Sequence, residues 1–259
     1  MTAWYWDAML LLLRSQTLNR GFSMATGSVP TNVLTSIEAY GKTQGMSLLY
    51  SFAKLLDQDI SVLDGLLRAG NTKIPNTTAI FNMSSATDCP SRLRGICKAV
   101  IDGKNICYAK KSEREYRPNV LPFRRRQTGY WLTITPEKFV SHFLIINATK
   151  RDKFDKIRLN EAGDFHSQAC VDKAEKIARL LKKFDITVYC YTSRHDLEFK
   201  NVRTLVVNGS NFQKAGVINE FKMVPKGEKP PKGYKECPMN CKKCDRCSKR
   251  GSKTWVPQH

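Results

Sequence analysis

Apolar residues follow two rhythms along this chain, and each change of rhythm marks a new element. Through residues 24–75 the rhythm is helical. Leu48, Leu49, Phe52, Leu55 and Leu56 recur at 3.6-residue spacing, as do Ile60, Leu63, Leu66 and Leu67. Gly70-Asn71 ends the second run and Pro75 marks the change of structure. Thr78 to Met83 is then a short buried strand, emptying into the small and polar residues Ser84 to Pro90. Tyr108 to Tyr116 reads as a helix that stops before Pro118. Thr135-Pro136-Glu137 is a helix entry, with a hydroxyl at the cap and proline in the first turn.

From residue 156 the two rhythms alternate. Lys156 to Asn160 reads as a strand. Ser167 to Phe184 reads as a helix with Val171, Ala174, Ile177, Ala178 and Leu181 on one face. Ile186 to Tyr191 and Thr204 to Val207 read as two further strands, and Val217 to Met223 as one more. Strand, helix and strand with short connections imply parallel pairing and right-handed crossovers. The expected fold is α/β, a partial (β/α) barrel or an open parallel sheet. Residues 1–75 form an N-terminal helical segment, 76–225 the core, and 226–259 a basic linker with a cysteine-rich tail. Residues 1–23 fit poorly with the segment after them, and Met24 reads as a better start.

Composition narrows the partners. Among 259 residues the net charge is +20, which favours nucleic acid or a nucleotide, because Lys and Arg gain affinity by releasing phosphate counterions. Phe123 to Trp131, with Arg124, Arg125 and Arg126 beside Tyr130 and Trp131, is the expected contact. No apolar run reaches the ~18–20 residues that span a bilayer. The run Ala8 to Leu13 follows Asp7 and precedes Arg14, the reverse of a signal peptide, so the cytoplasm is the expected compartment. Nine cysteines in such a chain argue for metal or redox use rather than a disulfide framework.

Those cysteines form two sets. Cys237, Cys241, Cys244 and Cys247 are spaced x3, x2 and x2, closer than the separated pairs of most structural zinc sites. Such a run favours an iron–sulfur cluster, with zinc as the alternative and tail folding as the plain role of either. Cys89, Cys97 and Cys107, spaced x7 and x9, follow the first core strand and would leave one coordination position open. Ordinary burial is the competing reading for Cys97 and Cys107, and the better one for Cys170 and Cys190.

The polar strand ends form a third group. Asn160, Glu161, Gly163, Asp164 and His166 follow one strand, Ser193 and Arg194 the next, and Asn208 the third. Parallel strands would bring them to one face, where ligands of such sheets bind. Glu161 and Asp164 are the candidate catalytic carboxylates, and Asn160, Gly163, His166, Ser193, Arg194 and Asn208 the candidate cofactor contacts. His166 also has a plain reading as a helix cap with Ser167.

Five motifs in order carry a resemblance: Ser85 to Pro90, Cys107-Tyr108-Ala109, Asn160 to Ser167, Tyr191 to Arg194, and the four-cysteine tail. Together they resemble the phage protein family called gene product 88, over about residues 70–255. A more distant likeness is to radical S-adenosylmethionine enzymes. These are partial (β/α) barrels in which three cysteines after the first strand bind a [4Fe–4S] cluster with one open iron. Cys89, Cys97 and Cys107 occupy that position, although those enzymes usually space their cysteines x3 and x2. The likeness implies one or two clusters, S-adenosylmethionine as cofactor, and Arg194 on an anionic group. The function expected is an iron–sulfur enzyme of phage origin, in the host cytoplasm, acting on nucleic acid or nucleotide. The alternative is a non-catalytic, zinc-stabilised nucleic-acid-binding protein.

Overall fold

The structure, a computed structural model, describes residues 59–97, 100–101, 104–105, 107–116, 118–225 and 227–257. The helices expected before residue 59, and the start at Met24, lie outside the described residues. In chain order the elements are helix α1 (Asp59–Leu66), strands β1 (Arg68–Ala69) and β2 (Thr78–Phe81), and the short helix α2 (Pro90–Leu93). The small pair β3 (Val100–Ile101) and β4 (Lys104–Asn105) comes after it, then helices α3 (Tyr108–Glu115), α4 (Val120–Thr133) and α5 (Pro136–Thr149). Next come β5 (Lys156–Leu159), α6 (Gln168–Lys182), β6 (Thr187–Thr192), β7 (Val206–Ser210) and β8 (Asn219–Val224). The tail holds β9 (Lys235–Glu236), two single 3₁₀ turns at Cys241–Lys243 and Arg246–Ser248, and β10 (Lys253–Pro257).

The chain divides into two compact units, residues 1–65 with 135–153, and residues 66–134 with 154–259. In the first, Thr135 caps α5 by accepting from Lys138 N, with Pro136 in the first turn, as its sequence dictates. Lys138 and Lys150 of α5 pair with Asp59 and Asp64 of α1 at 2.6 and 2.8 Å. No described helix is long and apolar enough to cross a membrane.

The second unit is built on an open eight-stranded sheet, ordered β1-β2-β5-β6-β7-β8-β10-β9, in which only β1 and β2 pair antiparallel. It is the open parallel sheet of the two expected architectures, not a closed barrel. From β2 to β8 the order never reverses, so all parallel strands point their carboxyl ends to one edge. Register aligns Phe81, Leu159, Cys190 and Val207 across the sheet, and all four are fully buried. Their face is covered by helices. Trp131 of α4 lies 6.1 Å from the Phe81 ring, and Lys173 of α6 donates to the carbonyls of Trp131 and Ile134. The apolar face expected of α6 is its buried face: Val171, Ala174, Ile177, Ala178 and Leu181.

The opposite face carries Tyr189, Tyr191, Asn208, Asn219 and Phe221, by strict alternation along the strands. The cysteine tail lies over it. Asn208 Nδ2 donates to Cys190 O at 3.0 Å and to Cys247 O at 2.9 Å, while Asn219 Nδ2 donates to Lys249 O at 2.7 Å. β10 then pairs in parallel with β8 and locks the tail into the sheet. Two buried amides in a sheet interior would otherwise be costly, and here the tail's backbone satisfies them. Asn208→Ala should lower stability by about 1–3 kcal/mol, because three hydrogen bonds lose their partner. Trypsin should also cut the tail faster at Lys242 and Lys243. An unchanged cleavage rate would show that the amide does not hold the tail.

Candidate metal and ligand site at the strand ends

The turn after β5 is fixed by backbone demands that its residues meet. Asn160 takes a φ of +57°, and its Oδ1 accepts from Met83 N at 3.3 Å. Ala162 N donates to Asn82 Oδ1 at 2.8 Å. Gly163 has a φ of +73°, and a Cβ there would lie 2.1 Å from Ser84 Oγ and 2.2 Å from its carbonyl oxygen. Only glycine allows that approach. Ser84 Oγ in turn accepts from Asp164 N and donates to Asp164 O.

Asp164 gathers the surrounding elements. Its carboxylate accepts from Phe165 N at 2.8 Å, Thr192 Oγ1 at 2.6 Å, Ser193 N at 2.8 Å and Ser91 Oγ at 2.6 Å. Burial pushes this carboxyl up while those four bonds pull it down, and burial prevails. The group joins the ends of β5 and β6 to the residue two beyond Cys89. All four donors are protein groups, so Asp164 builds the site from beneath.

The cysteine loop is held by a second buried carboxylate. Glu113 of α3 accepts from Ala86 N at 2.7 Å, Thr87 N at 2.8 Å and Thr87 Oγ1 at 2.7 Å. Arg124 Nη1 pairs with it at 2.9 Å, and both residues are buried. Arg92 closes the loop from the other side through Ala86 O and Thr87 O. Arg125 makes two bonds to Asp88 and holds its carboxyl down at about 2.

Onto this frame the chain places three half-buried thiols. Cys89 precedes α2 and Cys107 precedes α3, each in extended conformation, while Cys97 sits beyond α2 against the Ser193 hydroxyl. Burial pushes the Cys89 thiol up to about 12, and the Asp164 charge adds to the rise. Burial raises Cys97 as well, with Cys107 and Asp164 contributing. The three thiols and Asp164 thus share one electrostatic neighbourhood. Among the described residues no group of three or more His, Cys, Asp or Glu side chains is placed so that it could hold a metal ion.

The remaining strand-end residues divide. Glu161 is half-buried, its side chain accepting from Asn71 Nδ2 at 2.7 Å, with its carbonyl bonded by the Tyr108 hydroxyl. Asn160 is buried, and its Nδ2 has no hydrogen-bond partner among the described residues. His166 Nε2 lies 3.0 Å from Met83 O. Arg194 is turned inward. Nε and Nη2 grip Asp196 at 2.7 and 2.8 Å, and Nη1 donates to Phe165 O and His166 O. Asn208 is brought to the tail rather than to this group.

The four tail cysteines line one narrow cavity of about 60 Å³ with Tyr189, Tyr191 and Lys156 of the sheet. All nine cysteines are free thiols. A model of the family described as Gene product 88 matches residues 64–217. The chain belongs to the gene product 88 family. The matched stretch holds Cys89, Cys97, Cys107 and every strand-end residue above, and it ends before the four-cysteine tail. No curated protein and no solved structure matches the chain. The likeness to radical S-adenosylmethionine enzymes gains no support from these comparisons.

Sequence reasoning missed Glu113, Ser91, Asn82 and Gln127, which hold the site together. The signal for Glu113 was present: it is one of two acids in the otherwise basic helix Tyr108–Glu115. The segment Phe123 to Trp131 also differs from expectation. Trp131 and Tyr130 pack beside Phe81, and Arg124 is spent on Glu113, so neither ring is open for stacking.

Gly163→Ala should cost about 2–4 kcal/mol, since strain at positive φ adds to the clash with Ser84. A change below the error of denaturant titration would remove the close-approach argument. Glu113 gives a pH test. Burial pushes its carboxyl up, but the bonds from Thr87, Ala86 N and Arg124 outweigh this and leave it below the ordinary glutamate value. A depressed folded pKa means stability that is present at neutral pH and lost as pH falls through that value. Glu113→Gln should therefore be destabilised at pH 7 by about 3 kcal/mol. The gap to wild type should narrow as acid is added, measured by urea unfolding from about pH 7 to about pH 3. A gap independent of pH would rule out the ionised Glu113–Arg124 pair as its cause.

Proposed function

We propose that this gene product 88 protein is an iron–sulfur enzyme acting on a nucleic acid or nucleotide. Its working centre is the loop Cys89–Cys107. One observation carries the reading: Cys89, Cys97 and Cys107 lie in a segment that two buried carboxylates, Asp164 and Glu113, tie to the strand ends and to α3. Thiolates are the donors that iron and zinc take, although no three such side chains are grouped to hold an ion among the described residues. Burial and the Asp164 charge disfavour the ionised forms of Cys89 and Cys97, and a bound cation would reverse that balance.

Cys89, Cys97 and Cys107 would supply three thiolates and leave one position for substrate or cofactor. A cluster held this way supplies a Lewis-acidic or electron-donating iron at the open position. The chain's own residues do the rest. Asn160 Nδ2 offers a buried donor, and Glu161 offers a half-buried carboxylate that already accepts from Asn71. Asp164, Glu113 and Arg194 keep the loop and turns from relaxing. Cys237, Cys241, Cys244 and Cys247 would hold a second metal that folds the tail onto the sheet.

A second reading has one observation in its favour. The tail thiols surround a cavity of about 60 Å³, room for a single ion. This suits a zinc-stabilised protein that binds nucleic acid without catalysis.

Metal analysis with an absorption spectrum on anaerobically purified protein separates the two. The enzyme reading expects brown protein with ~4–8 iron per chain. Cys89→Ser/Cys97→Ser/Cys107→Ser should lose the loop share and keep the tail share. Colourless protein with one or two zinc would overturn the first reading, and metal-free protein would overturn both.

A further inference from the structure

Beside the cysteine loop lies an open groove of about 560 Å³ that the strand-end chemistry does not use. It is lined by Arg68 of β1, Asn82 after β2, and Asn119, Phe123, Arg124 and Arg126 of the α4 region. Three arginines line it, with no carboxylate among the described lining residues. Arg68 and Arg126 are exposed, and neither side chain makes a hydrogen bond or ion pair among the described residues. Arg126 stacks 5.9 Å from the Phe123 ring, which orients its fork along the wall. Arg124 bonds to Glu113 and to Ala109 O through Nη1 alone.

We propose that this groove holds the phosphate backbone of a single-stranded nucleic acid, with Arg68 and Arg126 as its phosphate contacts. Guanidinium forks match phosphate oxygens two at a time, and Phe123 supplies a partly open ring beside them. The net charge of +20 favours the same polyanion. Position links the groove to the site. Asn82 accepts from Ala162 N at the turn after β5, and Arg124 braces Glu113 under the cysteine loop. This inference rests on the nucleic-acid part of the proposed function and adds the surface that would hold it.

The probe is a fluorescein-labelled single-stranded oligonucleotide of about 20 nucleotides, longer than one strand-binding site of ~4–16. It is titrated into full-length protein at several salt concentrations and read by anisotropy. Arg68→Ala/Arg126→Ala should bind about tenfold more weakly at low salt, and the slope of log affinity against log salt should fall by about 1.4, two contacts at ~0.7 each. Arg68→Lys/Arg126→Lys should keep most of the slope and controls for folding. Lys229→Ala/Lys232→Ala removes the same charge from the linker and should leave binding nearly unchanged. An equal loss in both alanine pairs would show general charge and overturn the groove. Wild type that binds while the arginine pair binds equally well overturns the groove alone. No salt-dependent binding by wild type overturns the nucleic-acid reading with it. Polyglutamate binding as tightly as the oligonucleotide would overturn the proposal by assigning the groove to an acidic protein segment.

Discussion

The buried carboxylate of Asp164 is the constraint on which the rest of the site depends. It sits where β5 has run out of ladder partners, and it replaces them with four donors from three places in the chain. Hydrogen bonds to a charged acceptor contribute about 1.5–3 kcal/mol each, and more is at stake when several buried donors share one acceptor. Because Ser91 is one of those donors, the end of β5 and the start of the cysteine loop cannot move independently. Glu113 does the same for the loop's other side. Two carboxylates, each surrounded by donors, hold a loop of small residues that could not hold itself.

The sheet separates two kinds of cysteine chemistry. Its helical face is closed by α4 and α6, leaving chemistry to the edge where the strands end. Its other face carries tyrosines and two buried amides, a surface unfit for a helix and suited to an irregular tail. Arg158 stands on that face with its guanidinium 4.8 Å from the Tyr191 ring and Nε without a partner among the described residues. Its charge acts against the burial that raises Cys241 and Cys247. The tail thiols therefore lie in a neighbourhood that contains a cation, whereas Cys89 and Cys97 lie beside an anion. This difference in field sets Cys89 and Cys97 apart from Cys241 and Cys247.

Much of the fold was legible because β5, α6 and β6 combine clear periodicity with short connections. The edge strands β1 and β9, and β10 beside β9, were not, since two to five residues with polar members such as Lys253 and Thr254 carry no rhythm to detect. Helix α4 is more instructive. Arg124, Gln127, Tyr130 and Trp131 follow helical spacing and are its buried residues, so the stripe was present. Charge and polarity disguised it, because whether Arg124 is a surface contact or a buried brace depends on Glu113, eleven positions earlier. The strand-end group was visible as polar residues after apolar runs. Which of its members would be consumed internally was not, because Asp164 and Arg194 find most of their partners across folds of the chain rather than along it.

That distinction also changes what the net charge means. Counting basic residues treats every arginine as available to a polyanion, yet the structure spends Arg124 on Glu113, Arg125 on Asp88, Arg92 on loop carbonyls and Arg194 on Asp196. A guanidinium already paired with a carboxylate or with carbonyls has less charge and fewer donors left for a phosphate and releases fewer counterions. Among the described arginines lining the groove, those whose side chains have no internal hydrogen-bond or ion-pair partner are Arg68 and Arg126, the two proposed to contact phosphate. A diffuse excess of charge thus resolves into a pair of side chains beside one groove, a few bonds away from the loop that gathers the thiols.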